Sequence, residues 1–174
     1  MCIRDRPLNF EMAATKEMLN IASVFKPHAA CIVPEKRQEI TTEGGLDVVG
    51  QSDRLREICD ELANIGSRVS LFIEADEAQI MAAAELGVPV IEIHAGAYSD
   101  ANAEDRPAEL EKIKNGIKIA TNIGLECHVG HGLNYQNVEK IAEVRDVAEL
   151  NIGCLLYTSP SPRDATLSRM PSSA

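Results

Sequence analysis

Residues 31–47, CIVPEKRQEITTEGGLD, join a short apolar run to a long polar loop. The run at 31–33 predicts a buried β-strand, and Pro34 ends it because proline has no N–H for a further ladder bond. The loop then carries a charged stretch, two threonines and the turn pair Gly44-Gly45. A solvated surface turn would explain it, but a long polar loop directly after a buried strand is also where α/β proteins place functional groups. This stretch is therefore a candidate part of a functional site.

The same strand-then-helix pattern recurs along the chain. Apolar alternation and short apolar runs predict strands at residues 8–12, 28–33, 68–73, 88–93, 125–129 and 148–152. Helical spacing of apolar residues predicts helices at 16–25, 52–64, 77–86, 108–123 and 134–144, with a polar loop at 98–107. Each unit spans roughly 20 to 30 residues, which is close to the βα repeat of a (β/α)₈ barrel.

Polar residues at the strand ends favour a barrel over a doubly wound open sheet. They recur at Glu11, Glu35, Glu74, Glu92, His94 and His131. In a barrel these ends converge on one face and can build one site, whereas in an open sheet they would lie along a row. The sequence therefore predicts an α/β fold of the TIM-barrel type, with the doubly wound sheet as the alternative.

The amino-acid composition and net charge of the chain limit the classes of function that it can have. The 174 residues suffice for one domain with a core, and with 3% aromatics and no Trp that core must be aliphatic. The formal net charge of -10 disfavours nucleic acid and anionic membranes as partners, although backbone N–H groups could still hold a phosphate. Five scattered cysteines without a C-x-x-C pair predict reduced thiols and a cytoplasmic location. No stretch is long and apolar enough to predict a membrane span.

Both ends of the chain differ from the rest. Residues 1–7 are patternless and lack the apolar core of a signal peptide, and residues 154–174 form a Ser/Pro/Arg-rich tail. Both resemble translated adapter or vector sequence, so we expect them to be non-native. The predicted domain is residues 8–153.

Glu11 and Glu92 are candidate acid–base groups, because each ends a strand on its polar side. Two neighbouring inward carboxylates would raise at least one pKa towards neutral pH. Glu92 and His94 point the same way, two residues apart in a strand. The alternative is that each carboxylate merely pairs with a Lys or Arg.

Gly130-His131-Gly132 places a histidine, which can donate or accept a proton at physiological pH, between two residues that permit close backbone approach. A simple glycine turn is the alternative. Cys127, His128 and His131 do not predict a metal site: Cys127 and His131 could share a face, but His128 is expected to point away, and no second ligand pair is evident. His28 begins its strand at the opposite end and is interpreted as structural.

Two stretches are candidate phosphate sites. TTEGG, which begins at Thr41, offers hydroxyls and flexible backbone N–H groups, although it is not a P-loop because it lacks G-K-[ST]. NIG, which ends at Gly153, follows the last predicted strand, where a barrel presents phosphate-binding backbone.

Taken together, these stretches resemble the pyridoxine 5'-phosphate synthase family of vitamin B6 biosynthesis. The resemblance is carried by NFEMA at 9–13, KPHAACIVPEKRQEITTEGGLDV at 26–48, SLFIEAD at 70–76, VIEIHAG at 90–96, GHGLNYQNV at 130–138 and ELNIG at 149–153. It implies a (β/α)₈ barrel enzyme, a transferase-type synthase that condenses 1-deoxy-D-xylulose 5-phosphate with 3-amino-2-oxopropyl phosphate. It also implies an octamer that needs no metal or organic cofactor.

The resemblance also implies roles for particular residues. Glu11 matches the general base, His131 the proton donor and Glu92 the group that stabilises the transition state. Thr41 matches a contact to the deoxyxylulose phosphate. Gly132 and Gly153 match backbone positions that hold the aminoketone phosphate.

The chain departs from the family pattern in several places. The first two strands of the family, with their Asn, His and Arg residues, are missing, and so is the helix that closes the barrel. Gly153 is followed by Cys154 instead of histidine, and His128-Val129 replaces the expected Asn-Ala. We therefore expect an incomplete TIM barrel, from about the third strand to the start of the eighth, that is an internal fragment of the synthase and inactive by itself.

Two other interpretations remain. One is a different phosphate-binding TIM-barrel enzyme, such as an aldolase, for which Lys36 is the one candidate Schiff-base lysine. The other is a truncated, non-catalytic product with no function of its own.

Overall fold

The computed structural model describes residues 7–35 and 44–152. Thr41, Lys36, Gly153, nearly all of the expected leader and the whole expected tail lie outside the described residues.

Six parallel strands form one sheet in the described ranges, and their order across the sheet is their order in the chain. They are β1 (Asn9–Met12), β2 (Ala29–Ile32), β3 (Arg68–Ile73), β4 (Val90–His94), β5 (Glu126–Gly130) and β6 (Val147–Asn151). A doubly wound sheet reverses its strand order at a switch point, so that alternative is wrong. The observed arrangement is a curled, half-barrel sheet, consistent with an incomplete TIM barrel.

Helices connect successive strands. They are α1 (Lys16–Phe25), α2 (Ser52–Asn64), α3 (Glu77–Glu85), α4 (Gly96–Asp100), α5 (Arg106–Asn122) and α6 (Val138–Ala142). The first two have the predicted bounds. Thr15 is the N-cap of α1, a position that favours threonine, and its Oγ1 accepts the Met18 N–H at 3.2 Å.

Two predicted elements differ in the structure. The stretch 98–107 is not a continuous loop, because α4 forms at its start and α5 begins at Arg106. Pro107 lies in the first turn of α5, where a helix does not need its N–H.

The helix predicted at 134–144 is shorter in the structure, where α6 spans only Val138–Ala142. Asn134 Oδ1 accepts the Gln136 N–H at 2.9 Å, while the Asn134 N–H donates to Asn137 Oδ1 at 2.7 Å. These local side-chain bonds hold the backbone in a turn that competes with the helix.

The two faces of the sheet differ in polarity. Leu71, Ile91 and Cys127 are strand partners with no exposed surface, and Cys127 Sγ lies against the Ile117 carbonyl of α5, so this face packs on the helices. The opposite face carries the buried polar residues Glu92 and His128. The hydrophobic core thus lies between sheet and helices, and the polar face is left for a site.

Replacing Leu71 with Ala tests this placement of the core. Leu71 has no exposed surface, so Leu71→Ala is expected to lower the free energy of unfolding by about 2–5 kcal/mol in urea denaturation. Leu8→Ala is the matched control, because Leu8 is 52% exposed and its loss is expected to cost no more than about 0.5 kcal/mol. Equal losses of unfolding free energy for the two variants would contradict the placement of Leu71 in the core.

Candidate active site

Glu92 on β4 is the most buried carboxylate of the polar face, with 4% of its surface exposed. Its Oε2 accepts hydrogen bonds from Asn151 Nδ2 on β6 at 2.6 Å and from the Cys31 thiol on β2 at 3.5 Å. Burial raises the pKa of Glu92, the bonds from Asn151 and Cys31 oppose that rise, and the charge of Glu11 adds to it. The direction agrees with the sequence expectation, but burial and not Glu11 is the main cause.

Gly130 makes room for this carboxyl group. A Cβ at position 130 would lie 2.0 Å from Glu92 Oε1 and 3.1 Å from the Asn151 carbonyl oxygen. The first glycine of the Gly-His-Gly stretch is therefore required by packing against Glu92, which the sequence alone did not reveal.

His131 lies in a strained turn directly after β5. Its φ of 74° is in the left-handed region, and Gly132 follows with a φ of 76°. The turn is held by Ser99 Oγ, which donates to the His131 carbonyl at 3.4 Å, and by Asn137 Nδ2, which donates to the Gly132 carbonyl at 3.2 Å. Tyr98 OH in turn donates to the Asn137 carbonyl at 2.6 Å, so α4 fixes the histidine turn.

The His131 ring belongs to an aromatic cluster with two strand residues. Its centroid lies 4.8 Å from that of His94 and 6.0 Å from that of Phe72, and the His94 and Phe72 rings meet edge-on at 4.9 Å. His94 Nδ1 is 2.7 Å from Glu74 Oε1, which also accepts the Gly45 N–H at 2.9 Å. The sequence marked Glu74 and His94 as strand-end residues, but it did not predict that they form a pair.

Two clefts of about 370 and 310 Å³ lie beside this cluster, between α4, α5 and the ends of β3 and β4. His94 lines both of them, and His131 lines the second. Their walls provide space for a small ligand next to the two histidines.

A second polar cluster lies further along the same face. Glu126 Oε1 accepts from Arg68 at 2.8 Å and from His128 Nε2 at 2.9 Å. The Arg68 bond, followed by the His128 bond, lowers the pKa of Glu126 to about 2. Cys127 and His128 lie on opposite faces of β5, as alternation predicts: His128 pairs with Glu92 in register, whereas Cys127 faces α5.

The remaining predicted residues are placed as follows. Glu11 is exposed on β1, which two strands separate from the β4 strand of Glu92, and its charge contributes to the site. Glu35 is exposed beyond β2, and His28 immediately precedes β2, at the opposite edge of the sheet. Thr41 and Gly153 lie outside the described residues, so their roles stay predictions.

Across residues 7–35 and 44–152, no group of three or more His, Cys, Asp or Glu residues is placed to hold a metal ion. The described part of the chain also contains no helix that is long and apolar enough to cross a membrane.

Fold and site together define a β/α half-barrel with acid–base groups at the carboxyl edge of its strands. The family model described as pyridoxal phosphate biosynthesis protein PdxJ matches residues 2–160. The chain belongs to this family.

Curated relatives agree with the family model. Proteins of Caulobacter sp. (strain K31), Zymomonas mobilis subsp. mobilis and Jannaschia sp. (strain CCS1) are 53%, 55% and 56% identical to the chain, covering 90%, 86% and 86% of it. All three are named pyridoxine 5'-phosphate synthase. The matches cover 64%, 59% and 62% of these relatives, so the chain spans about three fifths of their length.

Solved structures share the fold at low identity. A xylose isomerase domain protein from Planctomyces limnophilus has a TM-score of 0.53 at 15% identity, covering 84% of this chain and 62% of its own. The BexX/CysO complex of Amycolatopsis orientalis has a TM-score of 0.54 at 20% identity, covering 84% and 58%. These similarities concern the fold alone.

The raised pKa of Glu92 makes the stability of the chain depend on pH. Its folded-state pKa lies above the ordinary value of 4.5, so this carboxyl stabilises the fold at low pH, and the contribution is lost as pH rises through the folded-state pKa. Glu92→Gln cannot ionise. The free energy of unfolding of the variant, relative to the unsubstituted chain, is therefore expected to increase as pH rises from about 4 upwards.

Urea denaturation over a series of pH values measures this difference. Glu77→Gln, at an exposed carboxyl in the first turn of α3, controls for the loss of one charge. A relative stability of Glu92→Gln that stays flat or falls with rising pH would contradict the burial of an ionisable Glu92.

Proposed function

We propose that this chain is part of a pyridoxine 5'-phosphate synthase, which condenses 1-deoxy-D-xylulose 5-phosphate with 3-amino-2-oxopropyl phosphate to form pyridoxine 5'-phosphate. The observation that carries the proposal is the meeting of Glu92 and the Gly-His-Gly turn at the carboxyl edge of the sheet, in a chain of this family. The synthase name of the curated relatives supports it.

The chemistry of ring closure needs groups of this kind. Successive proton transfers accompany loss of water and phosphate, so the reaction requires both an acid and a base. Glu11 acts as the general base, His131 as the proton donor and Glu92 as the group that stabilises the transition state. A buried carboxyl with a raised pKa suits Glu92, because it holds a proton more readily than an exposed carboxyl does.

Backbone groups bind the substrate phosphates in this proposal. Gly132 lies in a left-handed turn beside His131, where successive backbone N–H groups can form an anion-binding concavity. Gly132 and Gly153 hold the aminoketone phosphate, and Thr41 contacts the deoxyxylulose phosphate.

The synthase domain is proposed to span residues 8–153, with non-native residues 1–7 and 154–174 at its ends. It corresponds to the third strand through the start of the eighth strand of the full barrel. The parent enzyme is a cytoplasmic octamer that uses no metal or organic cofactor. The isolated chain is inactive.

A chimera tests the proposed activity. Residues 8–152 replace the matching segment of the Zymomonas mobilis synthase, and formation of pyridoxine 5'-phosphate is measured with both substrates. The chimera is expected to turn over. His131→Gln removes the proton donor and is expected to lower kcat by about 10²- to 10⁴-fold.

His28→Gln is the matched control, because the same substitution at an exposed histidine on the opposite edge should leave kcat within about twofold. A folded chimera without turnover, or equal kcat values for the two variants, would rule out the proposed site. Turnover by the isolated chain would contradict its proposed inactivity.

A further inference from the structure

His94 is a histidine of the site that has no role in the proposal above. Its Nδ1 lies 2.7 Å from Glu74 Oε1, and the Gly45 N–H donates to the same oxygen at 2.9 Å. Because this oxygen accepts both bonds, Nδ1 carries the hydrogen. A neutral His94 then has its free electron pair on Nε2.

The Nε2 atom is available to a ligand. The His94 side chain is nine-tenths buried, with 10% of its surface exposed, and Nε2 has no hydrogen-bond partner among the described residues. Both clefts open on His94. The ring is also confined, since a Cβ on Gly96 would lie 2.5 Å from Nε2 and one on Gly44 would lie 3.2 Å from Cε1.

The charges around the clefts favour a cation. Four carboxylates line them, at Glu74, Asp76, Asp100 and Glu109. Lys112 also lines both clefts, but its ammonium group is paired with Glu109 at 2.8 Å. A negatively charged wall with one unpaired acceptor nitrogen suits a ligand that carries an ammonium group.

We propose that His94, oriented by Glu74, takes a proton from the ammonium group of the aminoketone phosphate. An N–H bond of the ammonium breaks, its electron pair stays on the amine nitrogen, and the proton binds Nε2 of His94. The Glu74 carboxylate balances the charge of the imidazolium ion. The free amine is the nucleophile that condensation with a carbonyl needs. The inference rests on the proposed function and adds the activation of the amine to it.

The proton can be located by NMR on the complete 174-residue chain with ¹⁵N-labelled imidazole rings. The spectra are recorded at a pH of about 7.5, where an unperturbed imidazole is mostly neutral. Without ligand, the His94 ring is expected to carry hydrogen on Nδ1 alone. Saturating 3-amino-2-oxopropyl phosphate is expected to protonate both ring nitrogens of His94. The control ligand, 3-hydroxy-2-oxopropyl phosphate, has a hydroxyl in place of the amine and should leave His94 neutral.

Substitutions of Glu74 test whether this residue orients the His94 ring or only packs against it. Glu74→Gln is expected to abolish protonation of His94 by the amine while the Gly132 amide signal still shifts on binding. Glu74→Asp keeps the charge and is expected to restore part of the effect. Glu77→Gln, at the nearby exposed carboxyl, should change neither signal.

Hydrogen on Nε2 in the free chain would overturn the inference, and so would a His94 that stays neutral while the aminoketone phosphate shifts the Gly132 signal. If neither phosphate shifts the NMR signals of the Gly132 amide or of the His131 ring, that result contradicts the proposed function itself.

Discussion

Each strand of the sheet pairs in parallel with the next strand in the chain, and this constraint places all six carboxyl ends on one edge. Residues far apart in sequence therefore meet. Glu92 contacts Cys31 and Asn151, which are 61 and 59 positions away. The helices occupy the apolar face, which leaves the other face free to carry polar groups.

The polar face carries interactions that a sheet built for stability alone would avoid. A buried carboxyl is destabilising unless donors reach it, and two side chains from other strands provide them for Glu92. The strained φ of His131 is likewise maintained by contacts from α4 and the following loop. A buried carboxyl with a raised pKa and a strained histidine at one sheet edge are typical of a catalytic site.

Local patterns in the sequence predicted most of the elements. Helix α1 was found with its bounds, because its apolar stripe and the Thr15 cap are both local signals. Helix α6 was predicted too long, because the bond between the Asn134 N–H and Asn137 Oδ1 holds a turn that the apolar pattern does not reveal.

The sequence placed several polar residues at strand ends, but it did not predict the contacts that these residues make. Strand alternation put Glu92 and His94 on one face, whereas the Glu74–His94 pair and the fit of Gly130 against Glu92 depend on strand register and distant packing. The contacts of His128 depend on packing as well. Alternation separates it from Cys127, but the sequence does not tell which of the two faces the helices.

In the proposed enzyme, the strand ends form one binding site for a phosphorylated aminoketone. A crystal structure of the chain with 3-amino-2-oxopropyl phosphate tests it most directly. We expect the phosphate at the Gly132 backbone N–H and the nitrogen of the ligand within hydrogen-bond distance of His94 Nε2. A ligand bound away from this edge, or the phosphate held on the helix-covered side of the sheet, would contradict it.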